Sequence, residues 1–338
     1  MTRFVIPEGV RRLALAAIVA TVLTCGPKTP PAPPLPPPVP LHLAPACDLA
    51  PAAGLEWIID AKPRTIAAIP DLIPVIARVI AEERFRAYSL GHGGIDPRQV
   101  QDLCIAKYRD TALTIARTPF DPAKVATAFD ERSTKPLERT TLVPNPIVTR
   151  LSGAVNADAE RVTLFGREVV ALEQGKAGPL RAAEAFAQQK LKRASPALKS
   201  TALARATEIL GDAPVRVLAP GPFEGQAAHG LGGLLRATTA VAASAKFAGP
   251  PAKIAVRIVL MGAWEKDAPV AAERFGAALH VVTDSAVGRL FGVDHPLEGP
   301  AVRGTAEALI LDATVDGTAL ARGLHEALDA DIAEIMKR

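Results

Sequence analysis

Beyond residue 54 the hydrophobic positions follow two periods, one of two residues and one near 3.6, and their succession predicts the elements. Alternation predicts a strand over Glu56-Trp57-Ile58-Ile59 and a hairpin from Leu103 to Tyr108 and Ala112 to Arg117, turning at Arg109-Asp110. Between them Leu72, Val75, Ile76, Val79 and Ile80 fall on one stripe, which predicts a helix from Asp71 to Arg86. Asp121-Pro122 supplies a side-chain acceptor at the N-cap and a proline at the first helical position. The helix it opens has Val125, Ala128 and Phe129 on its core face. Short runs at 140–143, 147–155, 161–165 and 168–172, punctuated by Gly153 and Phe165-Gly166-Arg167, predict an antiparallel meander. Two helices are expected next, at 179–192 and 196–210.

The second half predicts strands at 215–219, 254–263 and 308–314, alternating with helices at 231–247, 269–282 and 318–336. The fold class is therefore α+β, an antiparallel or mixed sheet with helices packed on it. A faint echo between residues 113–128 and 308–323, each a strand leading through Asp121 or Asp316 into an alanine-rich helix, allows two similar halves. A junction at Arg193-Ala194-Ser195-Pro196 divides the ordered chain into subdomains 47–194 and 195–338. The first carries the meander and the second the alternating strands and helices.

The N-terminal stretch sets the address. Arg3, Arg11 and Arg12 precede an uncharged run from Leu13 to Thr24, too short to cross a hydrocarbon core of about 30 Å, so residues 1–24 read as a secretory signal. Val22-Leu23-Thr24-Cys25 resembles the lipobox of bacterial lipoproteins, although Thr24 stands where a smaller residue is usual. The resemblance implies a lipidated Cys25 at the mature N-terminus. With Gly26 following, it implies an outer-membrane anchor facing the periplasm. Cleavage after Ala44-Pro45-Ala46 with secretion to the periplasm, or an uncleaved anchor, are the alternatives. From Pro27 to Ala46 ten of twenty residues are proline, so residues 25–46 predict an extended tether reaching on the order of 60 Å.

Export makes a disulfide permissible. With Cys25 lipidated, Cys47 and Cys104 remain as an even pair that would pin the entering chain to the sheet. Two separate thiols, with Cys104 a small core residue, are the competing arrangement. The formal charge of +4 shrinks once residues 1–24 and their three Arg and one Glu are removed, which leaves 36 basic against 34 acidic residues. Nucleic acid is therefore not an expected partner. Locally, residues 176–216 are basic, and Lys190, Lys192 and Arg193 form a candidate contact with an anionic surface.

Catalytic chemistry is hard to find by motif. Gly91-His92-Gly93-Gly94 has the look of an oxyanion loop, but no G-x-S-x-G elbow exists to serve it. Gly230-Leu231-Gly232-Gly233 opens an expected helix, yet lacks the third glycine of a dinucleotide fingerprint. The six histidines share no metal-ligand spacing, so neither metal nor cofactor is expected. Pro220-Gly221-Pro222-Phe223 follows an apolar strand in a rigid loop. It is a candidate binding loop, with plugging of the core by Phe223 as the plainer reading. Three function classes result: a non-enzymatic envelope lipoprotein that binds or scaffolds a protein or envelope polymer, a carrier of a hydrophobic ligand, and an enzyme whose site is assembled from distant residues. A deep cleft with converging acids and histidines would favour the enzyme, and a dry apolar cavity the carrier.

Overall fold

The computed structural model describes residues 40–335 apart from 143–146, 157, 192–193, 286–287, 289–292 and 294–295, with side chains of the last helix described to residue 326. The expected signal, Cys25, most of the proline tract, Lys192 and Arg193 lie outside the described residues.

The chain begins with β1 (Leu55–Ala61), followed by α1 (Pro63–Ala67), α2 (Ile73–Val79) and α3 (Glu82–Gly91). The hairpin β2 (Asp102–Tyr108) and β3 (Thr111–Arg117) leads into α4 (Pro122–Arg132). A meander returns as β4 (Glu138–Thr141), β5 (Val148–Val155), β6 (Asp158–Phe165) and β7 (Val169–Gly175). Next come α5 (Pro179–Ala187), α6 (Ala204–Leu210), β8 (Val215–Pro220), β9 (Thr238–Gly249) and β10 (Lys253–Gly262). The chain closes with α7 (Ala268–Thr283), β11 (Glu298–Gly304), β12 (Ala308–Asp316) and α8 (Gly317–Ile335). The strands form one twelve-stranded sheet in the order β11-β12-β10-β9-β8-β1-β2-β3-β7-β6-β5-β4. Its pairings are antiparallel, so the α+β class holds.

Period-two alternation sends neighbouring residues of each strand into different cores. Cys104, Ala106, Leu113, Ile115, Ala171, Leu218, Ala242 and Val259 face one core, which α5 and α6 cover. Leu103, Val162, Leu164, Val170 and Leu172 face the other way, beneath α4. Leu260, Leu309 and Leu311 do the same at the far end, beneath α7. Residues 47–194 and 195–338, expected as subdomains, are two ends of one sheet with a shared core. The seam is β1–β8, where Ile58 pairs with Leu218 and both are fully buried.

The two halves share one plan. In the first, β1-β2-β3 leads to α4 and a meander returns to lay β7 on β3; in the second, β8-β9-β10 leads to α7 and β12 returns onto β10. Sequence traces accompany the topology. Gly91-His92-Gly93-Gly94 precedes β2 and Gly230-Leu231-Gly232-Gly233 precedes β9, and the last two glycines of each adopt positive φ, 68° and 91° in one and 67° and 86° in the other. Ala106-Lys107-Tyr108 in β2 corresponds to Ala245-Lys246-Phe247 in β9, the same 139 positions on as the glycine motifs. Asp121 and Asp267 head α4 and α7, and the fully buried Phe129 and Phe275 stand eight positions after each. The echo expected between 113–128 and 308–323 is thus misplaced, since β3–α4 corresponds to β10–α7 and not to β12–α8.

Several expected helices are corrected. The helix over 71–86 breaks at Ile80 and Ala81, both extended, into α2 and α3. Those over 179–192 and 196–210 shorten to α5 and to a 3-10 turn at Ala197–Lys199 followed by α6. Residues 231–247 are a 3-10 segment, Leu231–Ala237, and then strand β9. Alternate burial of Thr238, Ala240, Ala242 and Ser244 between two partner strands overrides the helical propensity of alanine there. The exposed edge strand β11, rich in Gly and Pro, gives no hydrophobic alternation and was not expected. The expected tether over 25–46 is corrected at its end: Leu41 and Leu43 pack against the core, and the His42 amide donates to Ala187 O at 2.8 Å.

Cys47 and Cys104 form the expected disulfide, with their α-carbons 5.1 Å apart. Cys47 lies in a buried 3-10 turn, Ala46–Leu49, which Lys199 Nζ also grips through Asp48 at 2.5 Å. Removing the bridge by Cys47→Ala with Cys104→Ala frees a loop of 57 positions. The chain-entropy model puts the loss at up to about 4 kcal/mol. Denaturant midpoints of the two forms measure it, and equal midpoints would show that the bridge does not hold the entering chain.

Candidate functional site

A cavity of about 480 Å³ lies between the sheet and the helical roof of the first half. Its floor is Leu103 and Ile105 of β2, Thr114 and Ala116 of β3, Val162 of β6, and Val170 and Leu172 of β7. Ile80, Phe85, Val125 and Phe129 close it from above. The floor residues are the alternate set left over after Cys104, Ala106, Leu113 and Ile115 have turned to the other face. The disulfide therefore fixes the floor strand from behind.

The void persists because the roof is an arch with fixed footings. At one footing Gly93, with φ 68°, passes so close to α4 that a Cβ there would approach Val125 N to 2.5 Å. Only glycine fits both the space and the conformation. At the other, Arg98 pairs with Glu82 at 2.6 Å and Asp96 at 2.8 Å, and its guanidinium lies over the Phe85 ring at 4.6 Å. The break at Ile80-Ala81 lets α3 span these points without descending onto the sheet.

In the corresponding layer of the second half, Leu231, Leu234, Leu235 and Trp264 pack with Ala271, Phe275, Leu260 and Leu309 into an apolar cluster. Among the described residues one plan thus occurs twice, once with the cavity and once with this cluster, here the hollow and the solid copy.

Polar groups gather at the more exposed end of the cavity. Tyr88 and His92 stack with ring centroids 3.8 Å apart and planes 9° from parallel. His92 Nδ1 lies 2.8 Å from Tyr88 O, a carbonyl that only accepts, so Nδ1 carries the proton. Burial pushes His92 below the ordinary histidine value; the bond to Tyr88 O opposes this, the Arg132 cation adds to it, and Glu160 opposes it. Burial pushes the Tyr88 phenol up, with Arg132 opposing. Arg132, the last residue of α4, brings Cδ to within 3.9 Å of where a Gly91 Cβ would be, and its Nε is buried with no hydrogen-bond partner among the described residues. In the solid copy the matching positions are apolar: Leu231 stands for His92 in the glycine motif, and Ala278, eleven positions after Asp267, stands for Arg132.

The other sequence-predicted residues lie elsewhere. Lys190 is exposed, and of the basic residues around it Lys176, Lys199, Arg205 and Arg216 are neutralised by Asp110, Asp48, Glu307 and Asp60. The segment is therefore less basic in space than in sequence. Pro220, Gly221, Pro222 and Phe223 line no part of the cavity; Gly221 is held against β9 through its amide to Thr239 O at 2.8 Å, and Phe223 is half-buried. The buried acids Glu173 and Glu184 are structural: Glu173 Oε1 accepts from the Gly178 and Leu180 amides at the start of α5 and pairs with Arg161, and Glu184 pairs with Arg150. Among the described residues no group of three His, Cys, Asp or Glu is placed to hold a metal ion. Of the cavity residues, Ile80, Val125 and Phe129 are legible in the sequence as core-facing positions and His92 as part of its glycine loop. Arg132 carried no signal of its own.

No family model matches the chain, and no curated protein does. Among solved structures, crystal form III of TP0453 is similar at a TM-score of 0.50 and 10% identity, over 83% of this chain and 97% of that one. Crystal form I of TP0453 gives 0.48 and 10%, over 85% and 99%. The likeness to form III concerns the fold alone.

The lowered His92 pKa has a pH signature. A histidine held neutral in the native state binds fewer protons than in the unfolded chain, so it favours folding above the unfolded value near 6.5. That contribution is lost as the pH falls through and below about 6.5. Denaturant stability measured from pH 7.5 to 5 should fall less steeply in His92→Gln than in the parent chain. Identical slopes would mean that His92 is not desolvated at the cavity.

Proposed function

We propose that this protein is an exported lipoprotein whose folded domain carries an apolar small molecule in the hollow half of the sheet. The observation that carries the reading is the cavity of about 480 Å³ with a largely aliphatic floor and a roof of aliphatic and aromatic side chains, set against an apolar cluster at the corresponding place in the repeated half. Its volume falls within the roughly 300–1,000 Å³ of small-molecule pockets. Each methylene moved into it from water contributes about 0.8 kcal/mol, so a hydrocarbon chain gains most from such a lining. Among the three function classes this favours the carrier over the scaffold.

The envelope address belongs to the same reading. Residues 1–24 direct export, Cys25 carries the lipid, and the proline tract spaces the domain from the outer membrane on its periplasmic side. Export also accounts for a disulfide in a chain with so few cysteines. Cys25→Ser should move the protein from the membrane to the soluble fraction; unchanged fractionation would remove the anchor from the account.

The carrier reading is tested by filling the floor. Thr114→Phe and Val170→Phe place aromatic rings in the void. Each should weaken saturable binding of a fluorescent acyl-chain probe by tenfold or more while the denaturant midpoint stays level or rises. Undiminished binding in both variants would contradict the site.

A further inference from the structure

The hollow copy differs from the solid one in more than volume. Where the solid copy places Leu231 and Ala278, the hollow copy places His92 and Arg132, and both line the opening of the cavity. A purely hydrocarbon ligand would need neither. Arg132 lies over the Phe129 ring, its Cζ 5.8 Å from the ring centroid, with its Nε buried and unpartnered. A guanidinium donor withdrawn from water without an acceptor is costly unless something arrives to accept from it. Arg84 at the same opening adds a second positive charge, and the Tyr88 hydroxyl stands beside them on a residue that is 45% exposed. The nearby acid, Glu160, does not line the cavity; its Oε1 accepts from Gln174 Nε2 at 2.7 Å, while its Oε2 is buried with no hydrogen-bond partner among the described residues.

From this geometry, and resting on the carrier reading above, we propose that the ligand is a single-chain amphiphile with an anionic head, a carboxylate or a phosphate, whose head is held by Arg132 and whose chain lies along the floor of β2, β3 and β7. A cavity of about 480 Å³ lies in the lower half of the range of single small-ligand pockets, which suits one chain. An arginine fork suits either head, because both present paired oxygens in its plane.

The test compares heads at constant chain length, using palmitic acid, its lysophosphatidic acid counterpart and hexadecanol as competitors of a fluorescent acyl probe on the folded domain. The parent protein should take at least one of the two anions tenfold or more tighter than the alcohol. Whichever anion binds tighter names the head. In Arg132→Met, which keeps the apolar stem, the preference should fall to within about twofold, and Arg132→Lys should restore part of it. The comparison on the parent protein needs no variant and so stands whether or not Arg132→Met folds. Equal binding of acids and alcohol by the parent would overturn the headgroup assignment while leaving the cavity intact. Failure of all three to compete would overturn the carrier reading itself.

Discussion

Everything in this molecule depends on a short antiparallel contact, the four residue pairs that join β1 to β8. Among the described residues it is where the strands of the two halves meet, and Asp60 on β1 is paired with Arg216 on β8 directly across it. A mostly buried ion pair of this kind adds little net stability, since desolvation offsets the attraction. What it does supply is register, because a slip of one residue would turn every side chain of one half to the wrong face. With the register held, two copies of one plan lie side by side, their strands feeding a common core below, while α8 of the second half reaches over to pack on α2 of the first.

The difference between those upper layers is where physics turns to function. A sheet with both faces covered normally closes on its helices at crystal-like density. In the second half Leu234, Trp264 and Phe275 belong to the apolar cluster of that layer. The first half instead spends its roof on an arch, held at Gly93 and at the Arg98 pairs and broken at Ile80-Ala81. Rigid footings keep the void open, and the Cys47–Cys104 bridge steadies the floor from behind.

Much of the strand framework was legible in the sequence, because period-two alternation and turn chemistry act locally. The 103–117 hairpin, the Asp121 cap and the inward face Val125, Ala128 and Phe129 stand as expected. Alanine misled at β9, where small residues that favour helix are selected for close packing between strands. The two glycine motifs were visible, but not as counterparts of one another. Their common role is backbone geometry ahead of β2 and β9, which becomes apparent only once the strands are paired. The cavity was not legible at all, since its lining comes from residues spread between Ile80 and Leu172 and no local pattern reports an absence of packing.

The central claim is that one copy is hollow and its counterpart solid. Xenon enters dry apolar cavities and leaves packed cores untouched. Methyl-resolved NMR of the domain under xenon pressure should therefore shift Ile80, Ile105, Val125, Val170 and Leu172, while Leu234, Leu260 and Leu309 stay still. Equal shifts in both sets, or none in the first, would contradict the account.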